Sequence, residues 1–105
     1  MSQWDVHPNP SARLREVLPY VVVLQSDLLS DLGTRLVAPL ARHLPTQPGT
    51  TARLSPTLVV QGVPLVLVAH ECAPVHVRDL KPAVASLREQ AHLIIGALDA
   101  VISGV

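Results

Sequence analysis

The chain has 105 residues, 49% of them apolar and 15% charged, with eight basic residues against eight acidic ones and a formal net charge of zero. That is too apolar for a disordered polypeptide, and it fits one domain, 1–105, long enough to build a core without disulfides or metal. A neutral chain whose only aromatics are Trp4 and Tyr20 lacks the basic field that draws a protein to nucleic acid or to an anionic membrane, and the stacking platform that holds single strands.

Gln3 to His7 is a short candidate strand, expected at an early sheet edge, and Pro8, Asn9, Pro10 and Ser11 then punctuate a turn. Tyr20 to Gln25 is rich in β-branched residues and bounded by Pro19 and by Ser26-Asp27, the pattern of a central strand buried on both faces. Leu28 to Thr34, with Ser30, Asp31 and Gly33, reads as a loop or short helical turn. Arg35 to Leu40 resumes as strand, and Pro39 demands an edge or a bulge there because it cannot donate to a ladder.

Pro45 to Ser55 is the longest polar stretch and is expected to be a mobile surface loop or a small added hairpin. Thr57 to Val60 and Val63 to His70 are two strands joined at Gln61-Gly62, an antiparallel hairpin signal. Val75 to Arg78 alternates as a half-buried strand does. The run from Ser55 to Ala69 is uncharged but contains Pro56 and Pro64 and falls short of the ~20 residues of a spanning helix.

After Pro82 the period changes. Leu87, Ala91, Ile94, Ile95, Leu98, Val101 and Ile102 recur at spacings of three and four, one face of a terminal helix. Ser86 and Glu89 have capping-box spacing, which starts the helix near Leu87, and Gly104 stops it. The stripe through Val101 is assigned to the core. Ser103, Gly104 and Val105 lie beyond it, apolar or small where a solvated tail is expected, and are left for a partner.

Other constellations favour structure over chemistry. His70, Glu71, Cys72 and His76 supply donors for a metal at a spacing that matches no established site. The lone Cys72 has no internal disulfide partner, which suits a reducing cytoplasm, and no basic segment followed by an apolar run marks a secretion signal. Ser26-Asp27 lacks the elbow of a hydrolase and reads as a turn cap. The arginines are scattered, and Arg35, beside a buried strand, is expected to pair with Asp27 or Asp31.

Gln3-Trp4, Tyr20 with the strand into Gln25-Ser26-Asp27-Leu28-Leu29, and Thr34-Arg35-Leu36-Val37-Ala38-Pro39-Leu40 stand in an order and spacing that resembles the CcdB family of plasmid and chromosomal toxins. Pro74-Val75-His76-Val77 resembles the family's Val-Pro-Val strand, and Ile94 to Val105 its closing helix. The resemblance implies a mainly β fold with one carboxyl-terminal α-helix, an SH3-like barrel or strongly bent antiparallel sheet with a small extra sheet, in a homodimer. It implies a toxin, not an enzyme and with no cofactor or metal, that inserts between the two A subunits of DNA gyrase and traps the cleaved-DNA complex. A CcdA-like antitoxin neutralises it, and operator DNA is met only through the antitoxin complex.

On that resemblance the gyrase contacts fall on Ser103, Gly104 and Val105, flanked by Asp99, Ile102 and the loop pair Leu28-Leu29. Ser103 stands where some members carry Trp, which removes a large anchoring surface. His43 to Ala52 has no residue match, so no antitoxin contacts carry over there. Two other readings compete: an RNA-cleaving toxin of the MazF type using Arg35 and a histidine such as His70, and a toxin-derived binding module that has lost its target. The absence of a basic groove speaks against the first.

Overall fold

The computed structural model describes residues 1–42 and 54–104. Among these residues seven strands, β1 (Asp5–Pro8), β2 (Tyr20–Val23), β3 (Thr34–Ala41), β4 (Thr57–Val60), β5 (Val63–Leu67), β6 (Ala73–His76) and β7 (Ala85–Ser86), form one antiparallel sheet, followed by a single α-helix, α1 (Ala91–Ser103). The strand order is β4-β5-β3-β2-β1-β7, with β6 pairing β3 off that path. The sheet is nearly closed, so the fold is mainly β and barrel-like, as the sequence predicts.

Closure is made by side chains. The Gln90 amide accepts from the Val59 N–H and donates to the Val59 carbonyl, each at 3.0 Å, reproducing the two bonds of an antiparallel pair between β4 and the segment after β7. Gln61 Nε2 donates to the Val84 carbonyl at 2.9 Å across the same seam.

The barrel interior is filled by alternate residues of the strands: Val22 and Leu24 from β2 and its end, Ala38 and Leu40 from β3, Leu58, Val60, Leu65 and Leu67 from the hairpin, and Ile94 and Ala97 from α1. The opposite face of β2 is covered too, where Val21, Val23, Val37 and Leu80 form a second cluster. A strand buried on both faces needs apolar residues at every position, which is why Tyr20 to Leu24 does not alternate.

β3 explains its own proline. β2 lies along one edge with Val21 opposite Pro39, while the other edge is shared between β6, opposite Thr34 to Val37, and β5, opposite Leu40 and Ala41. The Pro39 carbonyl accepts from Val68 N–H at 3.0 Å on that second edge. Its ring nitrogen therefore faces the place where one partner strand gives way to the next, and no ladder bond is lost. The β4–β5 turn has φ of 51° at Gln61 and 80° at Gly62, the paired left-handed values of a type I′ turn that fit a right-twisted hairpin.

Several expectations need correction. β1 is not an edge, because β7 pairs its outer side with Val6 opposite Ala85, and a two-residue strand carries too little pattern to be seen in sequence. The second hairpin strand stops at Leu67, and residues 69–71 form a 3-10 turn. The expected strand at Val75 to Arg78 lies at Ala73–His76, set by pairing with β3, and only Val75 of it is partly buried. The small extra sheet that the resemblance implies is not separate among the described residues, where all seven strands join one sheet.

The helix begins at Ala91 after a 3-10 turn at Arg88–Gln90, and the capping box does not form. Ser86 is still paired with Asp5, and Leu87 N–H donates to the Trp4 carbonyl at 2.8 Å, so the chain cannot turn helical that early. The Ser86 hydroxyl accepts from Arg88 N–H at 3.3 Å instead. Gly104 does end the helix, at φ 73° with its N–H on the Ala100 carbonyl. Val101, assigned from its spacing to the core, is exposed: the helix buries only Ile94 and Ala97, so the stripe is satisfied earlier than its length suggests. The polar stretch expected as a mobile loop from Pro45 lies, up to Arg53, outside the described residues.

Candidate functional site

The sequence between β2 and β3 builds a tight loop from short polar residues. Asp27–Leu29 is a 3-10 turn whose N-cap, Ser26, accepts from Leu28 N–H through its hydroxyl at 3.2 Å. Asp27 Oδ1 accepts from Gln3 N–H at 2.8 Å, so neither residue is arranged as part of a hydrolytic site. What the loop exposes is apolar: Leu28 is 93% exposed, with Leu29 and Leu32 about half exposed beside it. A leucine side chain brought from water into a partner's apolar surface contributes roughly 1.5–3 kcal/mol.

Gln25, at the end of an apolar strand, holds this loop from below. Its Nε2 donates to the carbonyls of Leu29 and Thr34, each at 3.2 Å, and its Oε1 accepts from Leu36 N–H at 3.1 Å. Sequence reasoning did not assign a role to Gln25; a lone amide closing an otherwise apolar strand is the signal that could have found it.

Arg35 holds the loop from the other side and overturns the expected ion pair. It is 9% exposed, and its guanidinium donates to the carbonyls of Leu32 at 2.6 Å, Thr34 at 2.9 Å, Ser30 at 3.0 Å and Met1 at 3.4 Å. No carboxylate pairs with it among the described residues. Asp27 is instead engaged by Gln3, and a turn that converges several carbonyls supplies enough fixed negative dipole to hold the cation.

The second candidate patch is the end of α1. Ile102 is 83% exposed and Val101 is exposed beside it, while Ser103 Oγ donates to the Asp99 carbonyl at 2.6 Å. That bond turns the hydroxyl onto the helix itself. Ser103 therefore presents little more than its Cβ to an approaching surface, and Gly104, in the left-handed cap, presents bare backbone. Val105 lies outside the described residues. Within one chain the two patches sit on different elements: the helix packs mainly on the 69–71 and 88–90 turns, not on 27–29.

The other sequence candidates stay apart. His70, Glu71, Cys72 and His76 are all exposed, and among the described residues no group of three or more His, Cys, Asp or Glu could hold a metal ion. Arg35 has its donors engaged by carbonyls, and His70 faces solvent on the 69–71 turn. An apolar groove of about 270 Å³ on the outer sheet face is lined by Leu14, Leu18, Val21, Val37, Pro39 and Val75 among others. Asn9 on its rim uses its side chain on Leu18 and Ser11 backbone. No helix among the described residues is long and apolar enough to cross a membrane.

No curated protein sequence matches this chain. In three dimensions it is similar to the Mycobacterium tuberculosis toxin MazF-mt6, with a TM-score of 0.67 over 94% of this chain and 96% of that one, at 14% sequence identity. At that identity the likeness is one of fold. In sequence the CcdB protein family matches residues 3–104, a span that takes in the Gln25-to-Arg35 loop and all of α1. By that match over nearly its whole length, the chain belongs to the CcdB family.

Proposed function

We propose that this protein is the toxin of a toxin–antitoxin pair, acting without catalysis as a homodimer that binds the A subunit of DNA gyrase, traps the cleaved-DNA complex and is neutralised by a CcdA-like antitoxin. Membership of the CcdB family supports a toxin with an antitoxin partner. The observation that carries the gyrase reading is the pair of outward apolar patches, Leu28 at 93% and Ile102 at 83% exposure, on supports tied down by the rest of the fold. Isolated side chains exposed to that degree lose nothing by being there, but they gain only when a partner covers them.

Ser103, Gly104 and Val105, with Asp99, Ile102, Leu28 and Leu29 alongside, are the proposed contact residues. In a two-fold dimer each patch is presented twice to a two-fold target, which doubles every contact without new sequence. Binding of this kind needs no general acid or base. The RNA-cleaving alternative needs the Arg35 guanidinium directed at a substrate, and it is directed at four carbonyls of its own chain.

Deleting Ser103 to Val105 tests the reading. The buried helix residues, Ile94 and Ala97, lie upstream of the cut, so the truncated protein should fold and dimerise normally. It should fail to trap cleaved DNA on purified gyrase. A truncated protein that still poisons gyrase at the full-length dose overturns the proposal.

A further inference from the structure

The loop bearing Leu28 is exposed in its side chains, yet much of its backbone is hydrogen-bonded. Leu28 N–H goes to the Ser26 hydroxyl, Leu29 N–H to the Ser26 carbonyl, Ser30 N–H to the Asp27 carbonyl and Leu32 N–H to the Leu29 carbonyl. Gln25 adds a second bond to Leu29 and one to Thr34, Arg35 takes Ser30, Leu32 and Thr34, and Val77 N–H takes Gly33 at 3.0 Å. An exposed loop of nine residues usually satisfies its carbonyls with water and moves freely. Here two side chains, Gln25 just past β2 and Arg35 in β3, one of them a nearly buried cation, do so instead.

We infer that Gln25 and Arg35 are positioning residues of the target-binding surface: they hold the 26–34 loop in its bound shape before the partner arrives, so that Leu28 and Leu29 dock without an ordering cost. The inference rests on the reading that Leu28-Leu29 flank the gyrase contact. Its physical content is entropic. A mobile loop must be ordered on binding, and each ordered residue or side chain subtracts from affinity, whereas a loop ordered by its own fold subtracts nothing at that step. The division of labour follows from chemistry. Leucine has no polar side-chain atom with which to fix its own backbone, so the fixing groups must come from neighbours, and an amide and a guanidinium can each donate to several carbonyls at once.

The test is a double-mutant cycle on the full-length dimer with purified gyrase A subunit, reading the dissociation constant, the thermal midpoint and amide exchange at Leu29 to Leu32. Gln25→Met keeps the length of the side chain and removes all three bonds; Gln25→Asn is the milder variant should the first fold poorly. Each should leave the midpoint within a few degrees, speed exchange in the loop and weaken binding by about fivefold to tenfold, the equivalent of ordering one or two side chains. Leu28→Ser should weaken binding by itself. When Gln25→Met is added to the pair Leu28→Ser and Leu29→Ser, binding should fall no further than in that pair alone, because positioning acts only through the side chains it positions.

Additive losses, or a Gln25→Met protein that binds as tightly as the parent while Leu28→Ser does not, would overturn the positioning role and leave the gyrase reading standing. If Leu28→Ser and removal of Ser103 to Val105 both leave binding intact, the gyrase reading itself fails and the positioning role falls with it.

Discussion

Arg35 is the residue whose environment departs most from simple expectation. A buried guanidinium without a carboxylate is tolerated because the chain aims the carbonyls of Ser30, Leu32 and Thr34 at it, and fixed dipoles cost nothing to reorganise. Replacing it by Met keeps the stem and takes a donor from each of those carbonyls, Thr34 keeping Gln25 Nε2. Arg35→Met should therefore lose roughly 2–4 kcal/mol of stability, read as a lower urea midpoint. Arg35→Lys should recover only part of that, since a single ammonium nitrogen cannot reach carbonyls that three separate guanidinium nitrogens now meet. A loss below about 0.5 kcal/mol would show that water replaces the guanidinium freely. Burial of Arg35 was legible in sequence from its place beside an apolar strand, but its partner was not. Charge patterning identifies carboxylates, whereas converging carbonyls arise only when the turn exists. The burial of His7 is hidden for a similar reason: it is 1% exposed, with Nδ1 2.6 Å from the Lys81 carbonyl and Nε2 without a partner among the described residues, in a segment whose sequence reads as an edge.

At the level of elements, the strands that repeat an apolar pattern over four or more residues were legible, and so were the hairpin at Gln61-Gly62 and the stop at Gly104, where backbone chemistry is local. The two-residue β7 and the start of α1 were not, because both are fixed by pairing with Asp5 and Trp4, more than eighty residues away in the chain. The seam is another such long-range element. Gln90 takes the place of a strand residue opposite Val59, and no local signal distinguishes it from an ordinary polar residue at a helix start. Gln90→Leu should remove both bonds and cost about 1 kcal/mol, the low end for two solvent-accessible hydrogen bonds. Its diagnostic effect is local: amide exchange at Val59 should rise toward the intrinsic rate, while β2 and β3 amides, in the middle of the sheet, stay protected. Equal acceleration throughout would mean that the seam is part of the global unfolding unit.

For the whole molecule, the decisive question is whether two tips act together. A mainly β barrel with a single terminal helix was legible from element order alone, and the match to the CcdB family covers residues 3–104. The arrangement of two copies was not legible, because Leu28 and Ile102 sit on separate elements of one chain and neither pattern records what lies across a two-fold axis. If the proposed homodimer engages both gyrase A subunits, the second contact is intramolecular once the first has formed, and avidity multiplies affinity by roughly 10²–10⁴. A mixed dimer with one full-length chain and one chain lacking Ser103 to Val105 isolates that factor, since it keeps one complete tip and the same dimer scaffold. Such mixed dimers, purified through two different affinity tags, should bind dimeric gyrase A at least about a hundredfold more weakly than the intact dimer. They should bind a single isolated gyrase A protomer with no more than the twofold statistical loss. Equal binding of mixed and intact dimers to the dimeric target would mean that one tip suffices, and symmetry would then have no part in the affinity.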